Sequence, residues 1–566
     1  MCAANAPGRY MGAMATLEEV HAQVYGPGAP FEITTETVLG SEMQVFRNRL
    51  PSLRAMLEAS AAHGENEYLV FDTRRISYAR HFELVASIAH ALREEYGVRK
   101  GDRVAILAAN TPEWILTFWA TVSIGAIAVG LNGWWTGDEI RYGLEDSAPR
   151  LLIADEKRLA RLGGEAPGVP VVEMETGFAS LEARAGEAVL PEVEIAEDDP
   201  ALILYTSGTT GRPKGAVVSH RNIIGFIAIN TANGFTNFLL KPPSPDALPN
   251  CMYVTNPLFH VSGLHAAAVM ALAAGLKSVW NMGRFDPEQT MAAIEREKCT
   301  SWGAMNTVLH RLMEHPKFSE YDLSSLSQVG GGGAPTPPEL QRRVLEALPK
   351  LKDGHLGHGY GSTESGAMAT TIGGEEWAAH PDSVGKPLPT MEIEIRGDDG
   401  TPLPEGEEGE VYVRGPLVML EYWNRPEATA ETVLEDRWLK MGDWGRMQDG
   451  RLYLASRRRD LILRASENVY PVEIENRLVE HPAVDEVAVV GVPHEELGQE
   501  VKAFIVLREG KEADGEELAA FVAEKLAYFK VPAHWDISRK ALPRNATGKV
   551  LKQVLTGEAE SSFVEE

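Results

Sequence analysis

Residues Ile203 to His220 read ILYTSGTTGRPKGAVVSH, a stretch that packs hydroxyls, glycines and one lysine into a single short loop. Upstream, Ala201 to Tyr205 is a short apolar run that reads as a buried strand, and downstream Ser219 is a plausible N-cap for a helix beginning near Arg221. The expectation is therefore a loop joining a strand to a helix. Thr206, Ser207, Thr209 and Thr210 supply hydroxyl donors, while Gly208, Gly211 and Gly215 let backbone N–H groups turn toward an anion at little steric cost. Lys214 adds a positive charge, so the chemistry is that of holding a polyphosphate. The common nucleotide loop places its lysine after the last glycine, whereas here Lys214 precedes Gly215.

That order of residues resembles the phosphate loop of the adenylate-forming superfamily, which contains acyl-CoA synthetases, the adenylation domains of peptide synthetases and beetle luciferases. Further motifs follow in the superfamily's order from about residue 50 to 552. The resemblance implies a large N-terminal domain of two α/β sheets with a β-barrel-like subdomain, followed by a small mobile α+β domain. The residues point the same way. Between Pro51 and Leu351 apolar strand-like runs alternate with helical ones, and from Val384 to Ala455 short strands are punctuated by turns such as Asp398-Asp399-Gly400. The expected boundaries are a tail at 1–45, an adenylation domain at 46–456, a hinge at 457–460 and a lid domain at 461–566.

Composition bounds the function. The chain has 566 residues and a formal net charge of −27, which disfavours a nucleic-acid partner held by a broad positive field. Its three cysteines, Cys2, Cys251 and Cys299, show neither a disulfide framework nor zinc-ligand spacing, and a reducing cytosol fits. Met11 and Met14 hint at a start inside the first residues. The uncharged run Trp114 to Trp135 is long enough to span a bilayer, yet its Ser, Thr, Asn and glycines read more simply as a buried helix and a core strand. No transmembrane segment is expected; peripheral membrane contact and a homodimer stay open.

The remaining motifs take their roles from the resemblance. In QVGGGGAP (Gln328 to Pro335), consecutive glycines clear side chains from one patch, putting Gly333, Ala334 and Pro335 near an adenine and Gly331 and Gly332 at an acyl pocket. In GYGSTESG (Gly359 to Gly366), Tyr360 offers a ring to the base and Thr363 a hydroxyl to the α-phosphate, with Gly359, Gly361 and Ser362 also expected at the nucleotide. Glu364, with Thr206, is the expected Mg²⁺ ligand, because a hard divalent cation neutralises charge building on departing pyrophosphate. Asp443 in WLKMGDWG would accept both ribose hydroxyls, with Arg457 reaching the same sugar; Met441 stands where relatives commonly have Thr. Phe259, His260 and Gly263 of NPLFHVSG, with Gly303 and Gly366, are expected around the acyl group, and His260 joins Thr206, Glu364 and Lys549 as a catalytic candidate.

Lys549 of LPRNATGK is the expected bridge between substrate carboxylate and α-phosphate, since one positive charge offsets repulsion between two anions about to react. The hinge is Arg459-Asp460. Ala465 and Ser466 stand where CoA ligases usually carry glycines at the pantetheine tunnel, which puts the thiol half-reaction in question. The resulting expectation is a ligase of ATP, Mg²⁺, a bulky hydrophobic or fatty acid and coenzyme A, working through an acyl-adenylate. Transfer to an amine or a carrier protein is the alternative. An inactive acyl- or nucleotide-binding regulator is disfavoured, because Lys549, Glu364 and Asp443 are all present.

Overall fold

The structure is a computed structural model that describes residues 16–183, 189–206, 212–304, 306–333, 336–353, 355–457, 460–464, 467–494, 496–545 and 548–557. Ser207, Gly208, Thr209, Thr210, Gly211, Ala334, Pro335, Arg459, Ala465 and Ser466 lie outside the described residues, and Arg457 is placed by its backbone alone.

Two large sheets carry the N-terminal part. The first has seven strands in the order Glu421–Tyr422, Lys214–Ser219, Pro200–Thr206, Ile127–Gly130, Arg103–Leu107, Leu151–Ala154 and Val171–Glu173. Pro200–Thr206 (β1) and Lys214–Ser219 (β2) pair antiparallel, with Thr206 opposite Lys214 and Leu204 opposite Ala216. The phosphate loop is thus a connection between two antiparallel strands, and the helix follows only after the second; this corrects the strand-to-helix expectation. The physical reason is burial: Ala216, Val217 and Val218 are almost fully enclosed, and an enclosed backbone must hydrogen-bond to a neighbour.

After β2 the chain enters α1, His220–Leu240. Ser219 caps it as expected: its hydroxyl accepts from Asn222 N at 3.2 Å, and Asn222 Oδ1 accepts from Ser219 N at 2.8 Å. Such a cap contributes about 1 kcal/mol. Asn222 also donates through Nδ2 to the carbonyls of Pro416 and Val418, at 2.6 and 3.1 Å. The helix start is thereby tied to a segment that returns to the first sheet, where Leu420 N and Trp423 N donate to Val217 O and Gly215 O at 2.8 and 2.7 Å.

The second sheet has thirteen strands. Its parallel centre runs Glu67–Phe71, Lys277–Trp280, Cys251–Val254, Ser301–Gly303, Gln328–Gly332 (β3) and His355–Tyr360 (β4). Beyond β4 the pairing turns antiparallel through Thr370–Gly373, Ser383–Pro387, Arg451–Arg457, Leu439–Gln448, Gly409–Arg414 and Glu392–Arg396. The barrel-like subdomain expected from the turn-rich sequence is therefore an antiparallel extension of the second sheet. Cys251 and Cys299 are buried free thiols in this half, with sulfurs 3.7 Å apart.

The tryptophan-rich run forms the helix Pro112–Ser123, capped by Thr111, with every residue but Glu113 buried, and then the core strand Ile127–Gly130. Among the described residues one helix, α1, is long and apolar enough to cross a membrane. Its first half sits in the core, and its later turns carry Asn230, Asn233 and Asn237. Residues 17 to 46 are not a loose tail: the helix Leu17–Tyr25 packs Val20 and Val24 against Ala232 of α1, and Ile33–Val38 pairs with Ser41–Phe46. Arg49 fastens that hairpin through Glu36 and Glu197, at 2.8 and 2.9 Å.

From Ile462 the chain builds a separate five-stranded sheet with helices Pro471–Val479 and Gly515–Ala523 around a core of Ile474, Leu478, Val489, Val501, Ile505 and Leu518. This unit docks on the large part through His310 Nε2 to Asp485 Oδ1 at 2.8 Å and Tyr470 Oη to Glu408 Oε2 at 2.5 Å.

Candidate active site

One continuous cleft of about 2360 Å³ runs between the two large sheets and under the C-terminal unit. The ends of β1, β2, β3 and β4 open into it. Thr206, Lys214, Gly333, Gly359, Tyr360, Gly361, Ser362, Thr363, Glu364, Asp443 and Lys549 all line it, as do Asp460, Phe259, His260, Gly303, Gly331 and Gly332. The sequence-predicted residues thus converge, although they span almost the whole chain.

Two do not. Gly263 is enclosed, and a Cβ there would fall 2.2 Å from Pro257 O. Gly366 holds a φ of +73° with Leu417 O only 2.5 Å from where its Cβ would be. Both glycines are required for close backbone packing and are set back from the acyl space.

The turn Gly361 to Gly366 is held by reciprocal serines: Ser362 N donates to Ser365 Oγ at 2.8 Å, and Ser365 N to Ser362 Oγ at 3.3 Å. That fixes Glu364 opposite the first sheet. Glu364 Oε1 accepts from Thr206 Oγ1 at 3.1 Å and from Tyr422 Oη at 2.9 Å, while Met419 N donates to Glu364 O at 2.8 Å. Burial, and then the charge of Glu364, push the Tyr422 phenol well above its ordinary range, so it stays a donor. Lys214 Nζ lies 5.0 Å from the centre of the Tyr422 ring, which brings the loop's cation beside the carboxylate. Thr206 and Glu364 together offer hard oxygen donors of the kind Mg²⁺ takes, and the fit is good. Among the described residues no group of three or more His, Cys, Asp or Glu could hold a metal by itself. Other oxygen ligands would come from substrate phosphates and water.

On the opposite wall, Tyr360 Oη donates to Asp443 Oδ2 at 2.7 Å. One hydrogen bond therefore orients both the ring expected to face a base and the carboxylate expected to face a ribose. Asp443 and Arg457 are paired positions on adjacent strands, Leu439–Gln448 (β5) and Arg451–Arg457 (β6). The glycines of β3 permit the close approach of β4, since a Cβ on Gly332 would lie 2.6 Å from Gly359 O.

His260 lines the cleft beside the apolar side chains of Phe259 and Val261. Burial lowers its pKa to about 4 against the opposing pull of Glu364, so the imidazole is neutral near pH 7. Its Nδ1 is 2.9 Å from Ser262 Oγ. Trp134 closes this corner edge-on to Phe259, with ring centres 6.1 Å apart. At the far side, Lys549 projects from a turn in which Lys549 N donates to Asn545 Oδ1 at 2.9 Å and Asn545 N donates to Lys549 O at 2.8 Å.

Tyr422, which lines the cleft and donates to Glu364, is a candidate that sequence reasoning missed. Its signal was the segment EYWNRPEAT, in which two aromatics precede a proline-initiated helix at Pro426–Thr432. Asn256, lining the same cleft, was also missed.

Comparison with known proteins finds matches along most of the chain. Residues 57–423 match the family model described as AMP-binding enzyme, and residues 473–549 match the AMP-binding enzyme C-terminal domain. The chain is 35% identical over 482 residues to a feruloyl-CoA synthase of Amycolatopsis sp, covering 84% of this chain and 92% of that protein. Among solved structures it is similar to o-succinylbenzoate CoA synthetase from Bacillus subtilis in complex with the acyl-adenylate intermediate OSB-AMP, with TM-score 0.75 and 30% identity over 90% of this chain and 98% of that one. It is equally similar to an amide bond synthetase from Marinactinospora thermotolerans, with TM-score 0.77 and 30% identity over 89% and 99% of the two chains.

Proposed function

We propose, from the premise that this chain belongs to the AMP-binding enzyme family and is an acid–thiol ligase, that it activates a bulky hydrophobic carboxylic acid with ATP and passes the acyl group to coenzyme A. The observation that carries this reading is the convergence on one cleft of a hydroxyl, a carboxylate and two lysines, Thr206, Glu364, Lys214 and Lys549, together with the apolar side chains of Phe259 and Val261.

In the first half-reaction a carboxylate oxygen of the acid attacks the α-phosphorus of ATP, and the bond to pyrophosphate breaks. Thr206 and Glu364 would hold Mg²⁺, which supplies charge neutralisation to the phosphates. Lys214 lies against the pyrophosphate side, and Lys549 offsets the repulsion between carboxylate and phosphate. Tyr360 and Asp443 position the nucleoside. No side-chain nucleophile is required; positioning and electrostatics lower the barrier. Neutral His260 borders the acyl end without adding a positive charge that would compete with Lys549. In the second half-reaction a thiolate sulfur attacks the acyl carbonyl and AMP leaves. Rotation about Arg459-Asp460 would withdraw Lys549 between the two steps.

A second reading, transfer to an amine, is favoured by Ala465 and Ser466 in place of glycines and by the likeness to an amide bond synthetase. The deciding experiment scores pyrophosphate release over a panel of acids with ATP, then compares CoA with amines as acceptors. Acid-dependent pyrophosphate without any thioester, together with amide product, would overturn the thiol assignment.

A further inference from the structure

The cleft has two unlike linings. One is apolar: the stretch Leu264–Ala274, which begins with a π-helical turn, contributes Ala267 and Met270, and Phe259 and Val261 extend it. The other is the cleft face of α1, where Asn230, Asn233 and Asn237 recur at helical spacing and all line the void. Seven residues of helix place this polar line along about 10 Å of the cleft.

These amides are incompletely paired. Asn230 Nδ2 donates to Phe226 O at 2.8 Å, and Asn233 Oδ1 accepts from Tyr25 Oη at 3.4 Å; among the described residues, Asn230 Oδ1 and Asn233 Nδ2 have no protein partner. Nearer the reacting end, Asn256 also lines the cleft, with only 9% of its surface exposed and its Oδ1 buried without a partner. Its Nδ2 comes within 3.5 Å of the Cβ position of Gly303, the acyl-pocket glycine. A plain alkyl chain against α1 would strip water from the unpaired amide atoms of Asn230 and Asn233 and return nothing, leaving each at a cost of about 1–3 kcal/mol.

Resting on the acid-activating reading above, we propose that the acid is an elongated hydrophobic molecule bearing hydroxyl or carbonyl oxygens remote from its carboxylate. Asn256 reads a group near the mouth, and Asn230 and Asn233 read one farther along α1, while the apolar wall receives the hydrocarbon face. Sites built to hydrogen-bond a substrate discriminate strongly against the analogue lacking the group, because their own polar atoms are then left unpaired.

The test uses the full-length enzyme and matched acids: hexadecanoic against hydroxyhexadecanoic acids, cinnamic against hydroxycinnamic acids, and 5β-cholanic acid against its hydroxylated forms. For at least one skeleton the oxygenated acid should exceed its parent by about 10-fold or more in kcat/KM for pyrophosphate release, the equivalent of a single 1.4 kcal/mol contact. Asn256→Leu and Asn233→Leu should each narrow that ratio toward one. Calorimetric binding of the same pairs gives a readout independent of turnover, so an inactive panel would overturn the proposed activity while leaving this inference testable. Equal or better handling of the unsubstituted acids in both measurements by the unmodified enzyme, whose fold is not in question, would overturn it.

Discussion

Removing a single hydroxyl, in Tyr422→Phe, isolates the support beneath Glu364. Tyr422 is 7% exposed, so water has little access to replace the 2.9 Å hydrogen bond it gives to Glu364 Oε1. A hydrogen bond to a charged group is worth about 1.5–3 kcal/mol, which sets a loss of about 10- to 150-fold as the ceiling if the carboxylate depends on it at the transition state. Thr206 Oγ1 remains at 3.1 Å as a second donor, so about 10- to 30-fold in kcat/KM for ATP is expected, with a higher magnesium requirement. Fold stability should fall by no more than the hydrogen bond itself, about 1.5–3 kcal/mol, because the ring still packs among Ala216, Val418, Met419 and Leu439. The assay is pyrophosphate release titrated with ATP and Mg²⁺, in Tyr422→Phe, Thr206→Val and the double variant. Since both donors serve one oxygen, the losses should be non-additive. Strict additivity, or a Tyr422→Phe enzyme within twofold of the parent at every magnesium concentration, would refute the coupling of Tyr422 to the carboxylate.

Lys549→Ala should cut acyl-adenylate formation by about 10²–10³-fold or more while nucleotide binding persists, measured by carboxylate-dependent pyrophosphate release; unchanged release removes its role. Ala465→Gly should speed thioester formation with CoA, and an unaltered or slower rate would show that the methyl does not narrow the thiol path. The enzyme should also be acid-labile: burial lowers His220, His260 and His358 to about 4 and His81 and His265 to about 3. The unfolded chain takes up these protons first, near pH 6.5, so stability is full above that value and is lost as pH falls through about 4. Thermal melts should show Tm falling steeply across this window, and a flat profile from pH 6.5 to 4 would contradict it. Within pH 6–8, no activity limb should trace to His260.

Local chemistry and chain order made the main site legible, because each motif carries its own residues: a turn with Glu364, a turn with Asp443, a glycine turn before Lys549. What escaped was set by partners distant in sequence. Tyr422 earns its role from a carboxylate 58 residues away, and nothing beside it in the chain says so. The run Gly215 to Ser219 became a strand because of its pairing with Leu202 to Tyr205, not through any strong pattern of its own. Leu17–Tyr25 looks like tail in the sequence, because its two buried valines matter only against Ala232. Gly263 and Gly366 stood among site residues, yet their positions are fixed by backbone carbonyls that no sequence window contains.

Asn222 is one side chain with two obligations, and this divides the enzyme into a conserved-by-geometry half and a free half. It closes the start of α1 and grips the segment leading to Tyr422, so the first turn of the helix cannot shift without disturbing the phosphate side. Asn230 lies eight residues on, about 12 Å along the axis. On the proposal that Asn230 and Asn233 read the acid, substitutions from there onward would reshape which acid is accepted while the phosphate side stays anchored, and new specificities would arise by changing the far end of a single helix.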